Sequence, residues 1–129
     1  MANQKATGLK RILNAFKYSW QGLVAAYQNE QAFRQELVKV ALGIPLALWW
    51  GDNGLEYALL ISTLIIILIA ELVNSALEAV VDRFGGEIHQ LSGRAKDMGS
   101  AVVLLAFVNH IVVWTCVLYD DFLAFLATL

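Results

Sequence analysis

Glu71, Asn74, Ser75, Glu78 and Asp82 follow directly on "LLISTLIIILIA", one of the most apolar runs of the chain. At about 100° per residue these five positions fall within one stripe of a helix. Two carboxylates about two turns apart can divide labour. Glu71, desolvated at the edge of an apolar phase, is suited to take a proton from a lipid hydroxyl. Glu78, further into water, is suited to hold a hard cation such as Mg²⁺ together with Glu30, while Arg94 and Lys96 meet phosphate oxygens. Glu36, Arg34, Asp97 and Ser100 bring further polar groups to the same depth. Three uses of such a cluster stand open on chemistry alone. An ion path needs polar groups through the midplane, where residues 57–70 offer Ser62 and Thr63. A purely structural cluster would tie helix ends to an interface. Transfer chemistry on a lipid head group would use the acids with a water-soluble co-substrate.

The elements that must position these groups are membrane elements. Of the 129 residues 59% are hydrophobic and 16% charged, with one proline, too apolar for an ordinary soluble domain of this length. The single cysteine, Cys116, allows no internal disulfide and is expected to be buried and inert. The N-terminal residues lack the compact apolar core of a secretory signal. We expect a single all-α domain over residues 1–129. A surface helix should cover about 7–28, where Leu9, Ile12, Leu13, Phe16, Trp20, Leu23, Val24 and Tyr27 recur opposite Lys10, Lys17, Gln21 and Gln28. Spans are expected at about 34–50, 55–83 and 96–119, with "GDNG" as a tight turn between the first two and a Gly-containing loop at 84–95. From the turn, Glu71 lies roughly 25 Å along the second span and Glu78 roughly 36 Å, against a hydrocarbon core about 30 Å thick. The polar stripe thus falls at the membrane–water boundary.

All nine Lys and Arg residues precede or open the first span or lie between the second and third. The positive-inside rule then puts the N-terminus and the 84–95 loop in the cytoplasm, and the turn and C-terminus outside. Neither G-x-x-x-x-G-K-[ST], G-x-G-x-x-G nor H-E-x-x-H occurs. His89 in the loop can approach a phosphate or be a plain polar loop residue. His110, in the third span, is expected to face another helix as a packing or hydrogen-bonding group.

"ELVNSALEAVVDR" followed by "GGEIHQLSGRAKDMGSA" closely resembles the membrane-integral diacylglycerol kinase family of bacteria, and "YSWQGLVAAYQNEQAFRQE" extends the likeness over most of the chain. The resemblance implies an inner-membrane homotrimer of three-span protomers, each with an N-terminal surface helix, and active sites shared between subunits at the cytosolic interface. It implies transfer of the γ-phosphate of ATP, as its Mg²⁺ complex, to the hydroxyl of diacylglycerol, giving phosphatidate. Position by position, Glu71 matches the proposed general base, and Glu30 and Glu78 match metal-holding carboxylates. Asn74, Lys96 and Asp97 match residues around the phosphates, with Arg11, Tyr18, Glu87, Ile88 and His89 on the nucleotide side. Lipid contacts are implied on the surface helix for Arg11, Ala15, Phe16, Lys17, Tyr18, Ser19 and Trp20, and then for Val24, Ala25, Ala26 and Tyr27. They continue through Ala32, Phe33, Arg34, Gln35 and Glu36, recur at Trp49, Trp50, Gly51, Asp52 and Tyr57, and include Ser100 and Trp114 beside Glu71 and Asn74. Departures from the family pattern are Ile88, where an aromatic residue is usual, the pair Asn109–His110, and a longer tail, "DFLAFLATL". A sister branch phosphorylates undecaprenol; "SGRAKDMGSA" resembles the diacylglycerol branch.

Overall fold

The computed structural model describes residues 7–87 and 89–129; Lys5 and Ile88 lie outside the described residues. The described residues form helices α1 (Leu9–Asn29), α2 (Gln31–Trp50), α3 (Gly54–Asp82), α4 (Gln90–Val117) and α5 (Tyr119–Leu126), with no strand among them. Glu30 alone separates α1 from α2, in extended backbone at φ −113° and ψ 112°. Arg34 holds this elbow: its Nη1 donates to the carbonyl oxygens of Tyr27 at 2.8 Å and Gln28 at 3.3 Å, two of the groups a helix C-terminus leaves open.

The turn into α3 is set by side chains. Asn53 Oδ1 accepts from the backbone N–H of Leu55 and Glu56, at 3.0 and 3.1 Å. Glu56 in turn accepts from Asn53 Nδ2 at 2.9 Å and from the Asp52 N–H at 2.8 Å. The helix N-terminus is thereby capped twice over.

The buried face of α3 comprises Leu60, Thr63, Leu64, Ile67, Ala70, Glu71 and Ser75 at helical spacing. Against it lie Phe33, Glu36, Val40, Gly43 and Ala47 of α2, and on its other flank Gly99 and Ala106 of α4. Small residues let the backbones approach: a Cβ at Gly43 would lie 2.9 Å from both Leu64 methyls.

Helices α3 and α4 are long and apolar enough to cross a membrane, at about 43 and 42 Å. Helix α2, with Arg34, Glu36 and Lys39 in its first half, does not pass that test. Only 6% of the most apolar window of α4 is buried, against 39% for α3, so α4 offers most of its surface to lipid or to another chain. The apolar face of α1 is also bare, with Leu9, Phe16 and Trp20 exposed.

Two expectations from the sequence need correction, and the tail adds an element. Cys116 is exposed, because none of the described residues covers that side of α4. The expected loop through residue 95 stops at His89: its Nδ1 accepts from the Leu91 N–H at 3.1 Å and so starts α4 at Gln90, with Gly93 and Arg94 already helical. The tail beyond the third span carries a helix of its own, α5.

Candidate active site

Glu71 is 6% exposed on the face of α3 that meets α2. The charged groups whose fields reach it are Glu36, Glu78 and Glu30, with Lys39 as the opposing cation. Glu30 comes from the α1–α2 elbow, Glu36 and Lys39 from the first turns of α2, and Glu78 from the second turn beyond Glu71. Lys39 Nζ binds Glu36 Oε1 at 2.7 Å and sits 5.0 Å above the Phe107 ring of α4, which ties α2 to α4 through a cation–π contact. The second carboxylate oxygen of Glu36 is buried with no hydrogen-bond partner. Four carboxylates against one ammonium leave an excess of negative charge here, which favours a cation among them.

Asn74 stands between Glu71 and the open end of α3. Its Nδ2 donates to Glu78 Oε1 at 3.2 Å, which fixes the amide with Oδ1 turned toward α4. There Oδ1 packs on Gly99, so closely that a Cβ at residue 99 would collide with it. Among the described residues no three His, Cys, Asp or Glu side chains come together as a metal cage. Glu30 and Glu78 are the hard-oxygen type of ligand of which Mg²⁺ typically takes one or two from a protein.

One turn beyond Glu78, Asp82 opens a second cleft of about 660 Å³ between the end of α3, residues 84–89 and the start of α4. Its walls carry Asp82, Glu87, His89, Ser92 and Lys96, with Gly85, Gly86 and Gly93 at the rim. Lys96 Nζ binds Asp82 Oδ1 at 2.7 Å. Gly85, at φ 88°, takes the left-handed backbone that turns the chain out of α3 and that residues with a Cβ rarely adopt.

Below Glu36 a cavity of about 340 Å³ runs down between α2, α3 and α4, past Gly43, Leu64, Ile67 and Phe107 to His110 and Trp114. Its floor is polar. Trp114 Nε1 donates to Thr63 Oγ1 at 3.0 Å and to the Leu60 carbonyl at 3.2 Å, and His110 Nδ1 lies 2.9 Å from the same Thr63 oxygen. His110 therefore faces another helix as a hydrogen-bonding group, as its place in the sequence suggests. A further cleft, about 490 Å³, forms at the α1–α2 elbow among Trp20, Val24, Tyr27, Phe33 and Leu37.

The structure thus brings Glu30, Glu36, Glu71, Asn74 and Glu78 into one neighbourhood and Glu87, His89 and Lys96 into the adjoining cleft. Arg11, Tyr18 and Asp97 are exposed and do not line that cleft. Ala15, Phe16, Lys17, Ser19, Trp20, Ala25, Tyr27, Ala32 and Gln35 are exposed along α1 and the start of α2, whereas Ala26 and Phe33 are buried at the elbow and Val24 and Arg34 half-buried there. Ser100 is exposed beside Gly99. Trp49, Trp50, Gly51, Asp52 and Tyr57 gather at the opposite end of the bundle, about 21 Å from Glu71 along α3. Residue types and spacing singled out neither Phe107 nor Gly99, each of which acts across a helix pair; Lys39, three residues after Glu36, carried an i, i+3 signal for its ion pair.

Residues 17–118 match the family described as prokaryotic diacylglycerol kinase. The diacylglycerol kinase of Escherichia coli strain K12 is 51% identical over 122 residues, 95% of this chain and 99% of that protein. That of Haemophilus influenzae is 47% identical over 115 residues, 89% of this chain and 98% of its own length. That of Pseudomonas aeruginosa is 47% identical over 112 residues, covering 87% and 91%. With a buried carboxylate at the polar end of an apolar helix, and likeness running from the surface helix through α4, this chain belongs to the prokaryotic diacylglycerol kinase family.

Proposed function

We propose that this chain transfers the γ-phosphoryl group of ATP to the free hydroxyl of diacylglycerol, giving phosphatidate and ADP at the cytoplasmic face of the bacterial inner membrane. The observation that carries this reading is Glu71, buried at the polar end of α3 among Glu30, Glu36 and Glu78, in a chain of this family. The Glu71 carboxylate takes the proton of the acceptor hydroxyl as the bond from its oxygen to the γ-phosphorus forms and the bond from that phosphorus to the β–γ bridging oxygen breaks. Glu30 and Glu78 are the residues that would hold Mg²⁺, which, when bound, neutralises charge on the phosphates. Lys96 and Arg94 supply cations at the phosphate side, Lys96 from its pairing with Asp82. Asn74 keeps Glu78 in place, and the cleft at 84–96 takes the nucleotide.

In this reading α2, α3 and α4 all cross the bilayer. Lys39 reaches back to the head groups, and the N-terminus and the 83–89 connection lie in the cytoplasm beside all the basic residues. The bare flanks of α1 and α4 support assembly with further copies, a homotrimer in which residues such as Arg11 and Tyr18 complete a neighbour's site. The test is a mixed-micelle assay with ATP, Mg²⁺ and either diacylglycerol or undecaprenol. Phosphatidate should form with diacylglycerol, and Glu71→Gln should keep the fold while losing about 10²–10⁴-fold in kcat. No ATP consumption with either lipid would refute the kinase reading; preferential turnover of undecaprenol would refute the acceptor; near-wild-type rate in the Gln variant would refute the base.

A further inference from the structure

The match to the family ends at residue 118, and the next residue, Tyr119, begins helix α5. The element therefore begins where the family-model match ends and takes no part in the chemistry described above. At about 100° per residue, Tyr119, Phe122, Leu123, Phe125 and Leu126 share one arc of about 160°, while Asp120, Ala124 and Asp121 occupy the opposite side. All five apolar side chains are exposed, so none of the described residues covers that arc.

Its placement says what does. Helix α4 is long and apolar enough to cross a membrane, and its backbone passes into α5 through Leu118 alone: the Leu118 N–H donates to the Trp114 carbonyl and the Phe122 N–H to the Leu118 carbonyl, both at 3.0 Å. An eight-residue helix leaving a span without a linker cannot move away from the surface where that span emerges. It also turns toward the end of α2. Trp50 faces Leu118, Phe122 and Phe125 across a cleft of about 460 Å³ whose lining also includes Asp121, and Trp49 beside it is 83% exposed, so the aromatic side chains of two helix ends meet at one level. Aromatic rings at the ends of spans sit at the head-group level. The apolar arc of α5 is thus continuous with the lipid-facing surface of α4.

We infer that α5 is an interfacial anchor, lying in the plane of the bilayer face opposite Glu71 with Phe122 and Phe125 among the acyl chains and Asp120 and Asp121 in water. The occupant of its apolar face is phospholipid. Because α5 carries two acidic and no basic residues, it draws on apolar burial and on its tether to α4, without attraction to anionic head groups. The inference rests on the reading of α4 as a span.

Full-length protein with Cys116→Ser, carrying single cysteines at 120, 122, 124 or 125, would be labelled with an environment-sensitive fluorophore and reconstituted in phosphatidylcholine vesicles. A label at 112 monitors the span itself. Labels at 122 and 125 should emit to the blue of those at 120 and 124 and be quenched by shallow lipid-borne quenchers. Labels at 120 and 124 should instead be reached by an aqueous quencher. Adding anionic phosphatidylglycerol should leave the pattern unchanged. Four water-like labels, four equally lipid-quenched labels, or strengthening by phosphatidylglycerol would overturn the anchor. So would a pattern that appears only at high protein-to-lipid ratio, which would make the occupant a second copy. A water-accessible label at 112 would overturn the spanning reading beneath it. Phosphatidate formation by the same vesicles reports separately on the proposed function, since its loss with the alternating pattern intact would leave the anchor standing.

Discussion

Gly99→Ala offers a sharp test of the site, because it disturbs the carboxylates without touching any of them. A methyl group at residue 99 would be built into Asn74 Oδ1, whereas the nearest atom of Leu77 stays at an ordinary 3.5 Å. The backbones of α3 and α4 are held by packing along much of their length, so the amide is the part that must move, and its Nδ2 then leaves Glu78 Oε1. Overpacking of this kind costs about 1–3 kcal/mol, and a hydrogen bond to a charged group contributes about 1.5–3 kcal/mol. Glu78 is only half-buried, which puts its share at the lower end. A factor of ten corresponds to about 1.4 kcal/mol, so kcat/KM for Mg·ATP should fall roughly tenfold with a modest loss of thermal stability. Asn74→Ala alone removes the same bond, and adding Gly99→Ala to it should then change little, because the colliding amide is gone. The cycle therefore predicts a coupling comparable to the whole single-mutant effect. Additive losses in the double variant would refute the argument. Gly43→Ala is the control: its Cβ would lie 2.9 Å from the Leu64 methyls, well away from the carboxylates, and should lower the melting temperature while leaving the KM for Mg·ATP alone.

Glu78→Gln should raise the Mg²⁺ concentration needed for half-maximal rate, while the KM for lipid stays near wild type; an unchanged Mg²⁺ titration would remove Glu78 from the metal site. Thr63→Val takes away the oxygen shared by His110 and Trp114 and should cost about 0.6–1.7 kcal/mol, the range for hydrogen bonds between membrane helices, with a shift in Trp114 fluorescence. Asn53→Ala removes the cap of α3 and should cost about 1 kcal/mol in unfolding free energy without altering kcat, since it lies at the end of the bundle remote from Glu71.

The parts of the structure legible in the sequence are those written in helical periodicity. The stripe from Glu71 to Asp82 needed only a period of 3.6, and the polar floor at His110 followed from the difficulty of leaving an imidazole unpaired in an apolar span. What escaped was set across helices or by local capping. Gly93 and Ser92 look like loop residues, yet a capping side chain at His89 makes them helical. Cys116 sits in an apolar run, and an apolar run in a soluble chain is buried; in a helix that faces outward the same pattern leaves the thiol exposed. The contact of Gly99 with Asn74 joins residues 25 apart in sequence, and no local spacing announces it. Helix α5 was passed over because eight residues with two acids read equally well as a tail.

Helix α3 forms a wall of both the greasy cavity below Glu36 and the polar cleft at 84–96, and this explains why the acids are strung along it. Glu36 lines the first, and Glu71 follows one turn above Ile67 of its wall. Asp82 opens the second, and Glu78 stands one turn before it. About 10 Å of rigid helix therefore separates Glu71 from Glu78, the carboxylates proposed above to serve a lipid hydroxyl and a nucleotide-bound cation. A loop could carry the same residues, but it would let that separation drift, and phosphoryl transfer needs donor and acceptor oxygens held in line. Close packing on Gly43 and on Gly99 prevents α3 from sliding against its neighbours. The small residues that approach the backbone and the acidic stripe of the proposed site are thus two requirements of one helix. A substitution at Gly99, where the close approach bears on Asn74, should misplace the second even where every carboxylate is intact.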